Sequence, residues 1–170
     1  MNGLETILTR RSIRKYTSEP VSGAAVETLL RAAMAAPSAG NTQPWEFVVV
    51  DDRRLLDEMR EMHGHAAMLS EAPLAVLVCG DGRRADLNGH FWTQDCSAAV
   101  ENILLAAHAL GLGAVWLGVY PGEGPIGKLR GLLGLPREIV PFALVAVGHP
   151  AEQKPPSGRY DPARVHRNVW

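Results

Sequence analysis

Arg10, Arg11, Ser12, Arg14 and Lys15 crowd one short stretch of a chain that is otherwise balanced in charge. With 17 basic against 18 acidic side chains the formal charge is −1, so the cluster asks for a discrete anion. Three guanidinium groups and a hydroxyl this close together can present forked donors to a phosphate, a task for which arginine geometry is suited. The plain alternative is a solvated helix end, where cations favour the negative pole of the dipole. Spacing alone leaves both open. A second stretch, PSAGNTQPW (37–45), offers amides and small residues instead of charges. Ser38, Asn41 and Gln43 can hydrogen-bond the edge of a flat heterocycle, and Gly40 permits close backbone approach. By itself this stretch also reads as an ordinary helix-to-strand turn.

The elements that must position these stretches follow from pattern. Asn2 and Glu5 are spaced as a capping box, and Leu4, Ile7 and Leu8 form one apolar face of a helix that ends at the basic cluster. Ser22 caps a second helix with Val26, Leu29, Leu30, Ala33 and Met34 on one side. The segment WEFVVV (45–50) predicts a strand, and DDRRLLDEMREM an amphipathic helix burying Leu55, Leu56, Met59 and Met62. LAVLVC (74–79) is a second strand. Asp95 or Ser97 is expected to cap a long, nearly all-apolar helix that Gly111 closes, and such a helix must be central or packed on a second subunit. AVWLGV (114–119) and FALVAV (142–147) are further strands, with a short helix opened by Pro125 and closed by Gly134 between them. From Gly148 the chain turns to proline, glycine and charge, yet ends on Val169 and Trp170, as an arm that docks would. Strands separated by helices mean α/β or α+β, and continuous apolar strands mean that both sheet faces are covered.

Bulk properties narrow the classes. A chain of 170 residues, 46% hydrophobic and 21% charged, fits one globular domain. Near-neutral charge argues against nucleic-acid binding, no apolar run is long enough to span a membrane, and no secretory signal is visible. Cys79 and Cys96 lack CxxC spacing and point to a reducing, cytoplasmic setting. His63-Gly64-His65 lacks a completing ligand for a metal. His108 is expected in a core or an interface, and Cys96 at a helix start, where a thiol pKa can fall. Phe91 and Trp92 are expected on a loop, as acceptor-site walls or interface anchors. GLGAVWLG follows no strand of a βαβ unit, so a dinucleotide fold of its own is not expected.

Taken in order, Arg10-Arg11-Ser12-Ile13-Arg14 and Pro37-Ser38-Ala39-Gly40-Asn41-Thr42-Gln43-Pro44-Trp45 resemble the two N-terminal motifs of the FMN-dependent nitroreductase family. The helix DCSAAVENILLAAHALGLGAVWLG and the ending VGHP…R extend the resemblance over nearly the whole chain. It implies an α+β fold with a mostly antiparallel central sheet flanked by helices, in one domain over 1–170. It also implies an obligate homodimer in which residues 149–170 form an exchanged C-terminal arm. Arg10, Ser12 and Arg14 would contact the phosphate and ribityl chain of FMN, with Arg11 nearby and Arg159 as a second phosphate contact. Pro37, Ser38, Ala39 and Asn41 would reach the flavin from the partner subunit, with Gln43 supplying an amide. Gly118 would face flavin N5, with Leu117 and Val119 beside it. Hydride would pass from NADH or NADPH through N5 to a nitroaromatic, quinone or similar conjugated acceptor by a ping-pong cycle, with no protein nucleophile or base required. Two alternatives remain: a dehalogenating or flavin-fragmenting relative, for whose lids the chain has little room, and a non-catalytic FMN-binding protein.

Overall fold

The computed structural model describes residues 2–85, 89 and 91–170. Four strands, β1 (Trp45–Val50), β2 (Leu74–Asp81), β3 (Gly113–Gly118) and β4 (Ile139–Gly148), form one sheet in the order β1-β2-β4-β3. Every neighbouring pair is antiparallel, which settles the class as α+β. The two central strands alternate with period two while both faces stay buried. Leu74, Val76 and Val78 point into one core, beneath α2 (Gly23–Met34) and α4 (Phe91–Ala109). Ala75, Leu77 and Cys79 point into the other, beneath α3 (Arg53–Met62) and α5 (Glu123–Leu133). One irregularity interrupts the ladder. The register shifts between Val78 and Cys79, where Cys79 faces Pro141. A proline without an N–H is tolerated in a central strand only at such a shift.

Local signals explain most boundaries. The first helix, α1 (Gly3–Thr9), has a full capping box: Asn2 Oδ1 accepts from the Glu5 amide, and Glu5 Oε2 accepts from the Asn2 amide. Ser22 and Asp52 cap α2 and α3 through their side chains. The α4 helix ends where Gly111 adopts φ 76°, with Leu112 N donating to Ala107 O and Gly111 N to His108 O. That pair of bonds is the Schellman arrangement, and only glycine enters it without a Cβ penalty.

Several expectations need correction. The long helix starts at Phe91, so Asp95 and Ser97 lie inside it and cap nothing. Cys96 is consequently remote from the helix start, and Trp92 is a core residue at 1% exposure, while Phe91 is exposed on the first turn. Trp92 rests edge-on against Tyr120 and Phe142, a packing advantage that a loop would forgo. His90, just before these two aromatics, falls outside the described residues. Met34 is exposed, α5 begins at Glu123 ahead of Pro125, β2 and β4 run longer than expected, and β3 spans 113–118. Among the described residues no helix is long and apolar enough to cross a membrane, and no group of acidic, His and Cys side chains could hold a metal.

Candidate functional site

The basic stretch is held against the outer edge of β3. After α1 the chain extends, Ser12 forms a parallel bridge with Ala114, and Ile13 N donates to Ala114 O at 3.0 Å. This close approach depends on Gly113, because a Cβ there would stand 2.6 Å from Ile13 Cγ2 and 2.9 Å from its Cβ. Arg10 Nε lies 3.3 Å from Glu101 Oε1 on α4, while Thr9 Oγ1 and His108 Nε2 meet at 2.8 Å. His108 is thus a half-buried tie between α1 and α4. Arg14 projects its side chain outward, exposed, and its backbone N–H donates to Glu152 Oε1 at 2.5 Å. Lys15 is not a free surface charge, for its ammonium lies 2.9 Å from Glu71 Oε1. Their hydrogen bond lifts the Lys15 pKa and holds the Glu71 carboxyl below its usual range.

The start of the C-terminal arm closes over this stretch within the same chain. Tyr16 bridges Pro150, Ala151 N donates to Lys15 O, and the Arg11 guanidinium donates to the Pro155 carbonyl. Lys154 Nζ donates to Ser12 O at 2.8 Å and pairs with Glu152 at 3.0 Å. The Arg14 amide and Lys154 together keep the Glu152 carboxyl below its ordinary pKa. A cavity of about 320 Å³ is left between arm and core, lined by Arg11, Ile13, His108, Glu152 and Lys154 among others. Beyond residue 155 the arm is exposed, Arg159 included, and among the described residues no hydrogen bond or ion pair joins Arg159 to the basic stretch.

At the other end of the same edge stands Gly118. Alternation along an antiparallel strand decides which way its amide points. Ala114 O faces outward to Ile13, whereas Val119 N donates inward to Phe142 O, so the even-numbered Gly118 turns both N–H and C=O away from β4. Its carbonyl accepts from His63 Nε2 at 2.7 Å. Leu117 and Val119 send their side chains into the core under α3 and α5. Four residue steps lead from Ala114 to Gly118, roughly 13 Å of edge.

The amide-rich stretch occupies the opposite side of the sheet. Residues 37–44 lead into β1 at Trp45, whose partner is Gly80, at the same end of the sheet as Gly118 but on the other edge strand. The loop bends through positive φ at Gly40 (58°), Asn41 (56°) and Gln43 (49°), which only glycine adopts freely. Ser38 Oγ accepts from Gln43 N at 3.0 Å, and Gln43 Nε2 donates to Asn41 Oδ1 at 2.9 Å. Asp95 Oδ1, from the interior of α4, accepts from Ala39 N at 2.9 Å.

Arg10, Arg11, Ser12 and Arg14 therefore share the β3 edge with Leu117, Gly118 and Val119, while Pro37, Ser38, Ala39, Asn41 and Gln43 share a loop at the β1 edge. Among the described residues no hydrogen bond or ion pair joins the two groups. His63, Asp95, Glu152 and Lys154 are contacts that pattern reading misses. His63 sits behind a helix end and meets Gly118 only through the fold, and the same holds for Glu152 and Lys154 against Ser12 and Arg14. Asp95 carried a signal, an acid amid the apolar positions of a buried helix. Cys79 and Cys96 are both buried, and burial pushes each thiol up to about 12, so neither is an activated nucleophile.

Comparison with known proteins adds independent findings. The sequence model of the nitroreductase family matches residues 7–63 and 60–149. A protein of Archaeoglobus fulgidus named "Putative NADH dehydrogenase/NAD(P)H nitroreductase" is 49% identical over 170 residues, covering 98% of both chains. An FMN-dependent nitroreductase from Clostridium difficile superposes with a TM-score of 0.91 at 30% identity, over 98% of this chain and 99% of that one. A structure from Desulfovibrio desulfuricans described as a "putative nitroreductase in complex with fmn" gives a TM-score of 0.85 at 35% identity, over 100% and 98%.

Proposed function

Since this chain belongs to the nitroreductase family, we propose that it is an FMN-dependent NAD(P)H oxidoreductase that passes hydride to a nitroaromatic, quinone or similar conjugated acceptor. One observation carries the reading. An open strand edge carries the arginine segment beside Ala114 and an outward backbone N–H at Gly118, with roughly 13 Å of strand between those two backbone positions, a length along which a phosphate-terminated ribityl chain and the near ring of a flavin can lie. The residues present fit that group. Arg10, Ser12 and Arg14 would hold the phosphate through charge-assisted hydrogen bonds. Arg11, engaged with Pro155, would fasten the arm instead. Gly118 would direct its N–H at the ring, while His63 holds the carbonyl of the same residue, which points from the same edge. FMN, when bound, supplies hydride acceptance and delivery at N5. Leu117 and Val119 form the dry floor beneath the edge, and among the described residues His63 is the titratable side chain hydrogen-bonded to Gly118.

A complete site in this reading draws on two copies. The amide-rich loop lies three strands away from the β3 edge, and among the described residues no hydrogen bond or ion pair links the two. Leu4, Ile7 and Leu8 on α1 and Leu110 at the end of α4 are all exposed, an apolar face suited to a second copy. In the homodimer, Ser38, Ala39, Asn41 and Gln43 of one subunit would meet the edge of the other. The outer arm, with Tyr160, Val169 and Trp170 exposed, would lie on the partner and bring Arg159 to its phosphate. Donor and acceptor then use one open face in turn, a ping-pong order, in a cytoplasmic enzyme.

The test is a visible spectrum before and after anaerobic addition of NADH or NADPH. A yellow protein that bleaches and is recoloured by a quinone or nitroaromatic is expected. A colourless preparation that takes up no added FMN overturns the reading, and a bound flavin that neither nicotinamide bleaches reduces it to FMN binding alone.

A further inference from the structure

The sharp bends in the 38–43 loop do not hold themselves. Gly40, Asn41 and Gln43 all take positive φ, and for Asn41 and Gln43 that conformation is disfavoured unless surroundings impose it. Two of the pins are local, Ser38 Oγ to Gln43 N and Gln43 Nε2 to Asn41 Oδ1. Among the described residues the side-chain pin from outside the loop is Asp95, whose Oδ1 accepts from Ala39 N at 2.9 Å across a sequence gap of 56 residues.

Asp95 is an expensive way to hold a loop. Its side chain is 6% exposed, and its second oxygen, Oδ2, is buried with no hydrogen-bond partner. A buried carboxylate satisfied on one oxygen alone is a net cost to folding, which neutral core residues of the same size would avoid. Neighbouring positions on the same stripe, Trp92, Cys96, Ala99 and Val100, are apolar or neutral. Groups that break the packing rules in this manner are expected where positioning matters more than stability.

We infer that Asp95 is a positioning residue for the flavin-contacting loop: it fixes the Ala39 amide so that residues 38–43 are presented in the shape that binds FMN across the subunit interface. This inference rests on the flavin reading above. Asp95 touches neither substrate nor flavin in this role, and it acts through the Ala39 peptide. A carboxylate and an amide oxygen can both accept from Ala39 N, whereas an apolar side chain of equal size cannot.

Two substitutions separate positioning from core filling. Asp95→Asn keeps an acceptor, and Asp95→Leu keeps the branched shape, with bulkier methyl groups, but not the acceptor. In apoprotein, hydrogen exchange of the peptide containing residues 37–43 is expected to stay protected with Asn and to speed up with Leu. The FMN dissociation constant is expected within about threefold of the parent for Asn and weakened at least tenfold for Leu, the loss typical of a buried hydrogen bond. A cooperative melt and unchanged exchange in the peptides of β2 and β4 show that the Leu variant is folded, so that faster exchange confined to residues 37–43 reports on the loop. Equal loop protection in parent and Leu variant overturns the inference, as does an Asn variant as exchange-prone as Leu. If the parent binds no FMN at all, the flavin reading fails, while the exchange measurement still decides whether Asp95 sets the loop.

Discussion

The imidazole Nε2 of His63 stands 2.7 Å from the carbonyl oxygen of Gly118, tying the end of α3 to the open edge of β3. A carbonyl only accepts, so Nε2 carries the proton in this bond. Replacing His63 with Ala releases the carbonyl into solvent and loosens the peptide that faces the proposed flavin ring. The expected result is a several-fold slower reductive half-reaction, with a melting shift of no more than about 4 °C, as befits one partly exposed hydrogen bond. Stopped-flow bleaching by NADH, read beside thermal melts, checks both halves.

Arg14 and Arg11 divide the labour of the basic stretch. Arg14→Ala should weaken FMN binding by roughly 1–3 kcal/mol, since a buried phosphate would lose a charged donor. Arg11→Ala should cost FMN affinity less and instead raise proteolytic susceptibility of the arm, because Arg11 holds the Pro155 carbonyl. Fluorescence titration of apoprotein with FMN, together with limited proteolysis, distinguishes them. A reversed order of affinities would move the phosphate to the Arg11 side.

Gly113 is tested by a single methyl group. In Gly113→Ala the new Cβ would sit 2.6 Å from Ile13 Cγ2 and 2.9 Å from Ile13 Cβ, so the Ser12–Ile13 segment must leave the β3 edge. A destabilisation of about 1–3 kcal/mol is expected for such overpacking, visible in urea melts. FMN affinity should fall with it, because the displaced segment carries Arg10, Ser12 and Arg14.

Ile7 and Leu8 are 59% and 60% exposed on α1 in the single chain. An Ile7→Glu, Leu8→Glu double variant should therefore shift the protein towards monomer in light scattering and reduce FMN retention, while helix content by circular dichroism stays the same. A variant that remains dimeric would place the interface elsewhere.

The thiols report on pH. Burial pushes Cys79 and Cys96 from 9.0 to about 12 in the fold, so both stay protonated where an unfolded thiol ionises. Below about pH 9 their contribution to stability is fully present, and it is lost progressively as pH rises from there towards 12. Stability should consequently decline across that alkaline window, and in a Cys79→Ala, Cys96→Ala variant the decline should be shallower. Native protein at pH 8 should resist thiol reagents until denaturant is added.

Much of this molecule is local in origin. The capping box at Asn2 and Glu5, the Ser22 cap, the 3.6 period of α2 and α3, the β1 run and the Gly111 helix stop all depend on neighbours within a turn or two, and pattern exposes them. The start of α4 departs from pattern for the same kind of reason. Asp95 has the side chain of a helix cap, and only packing against Ala39, with Trp92 pressed on Tyr120 and Phe142, shows that the helix already began at Phe91. Residue type raised the arginines and the amide loop as candidates beside plainer readings, and only the family resemblance singled out Gly118. Their arrangement did not follow from type. That Gly118 turns its amide outward depends on strand register, and that the arginines share its edge depends on the Ser12–Ala114 bridge that Gly113 permits. That the amide loop lies at the opposite edge depends on the order β1-β2-β4-β3. Contacts such as His63 to Gly118 and Asp95 to Ala39 span 55 and 56 positions of chain, and nothing in the spacing of residues encodes which carbonyl or amide a folded sheet will bring to a side chain.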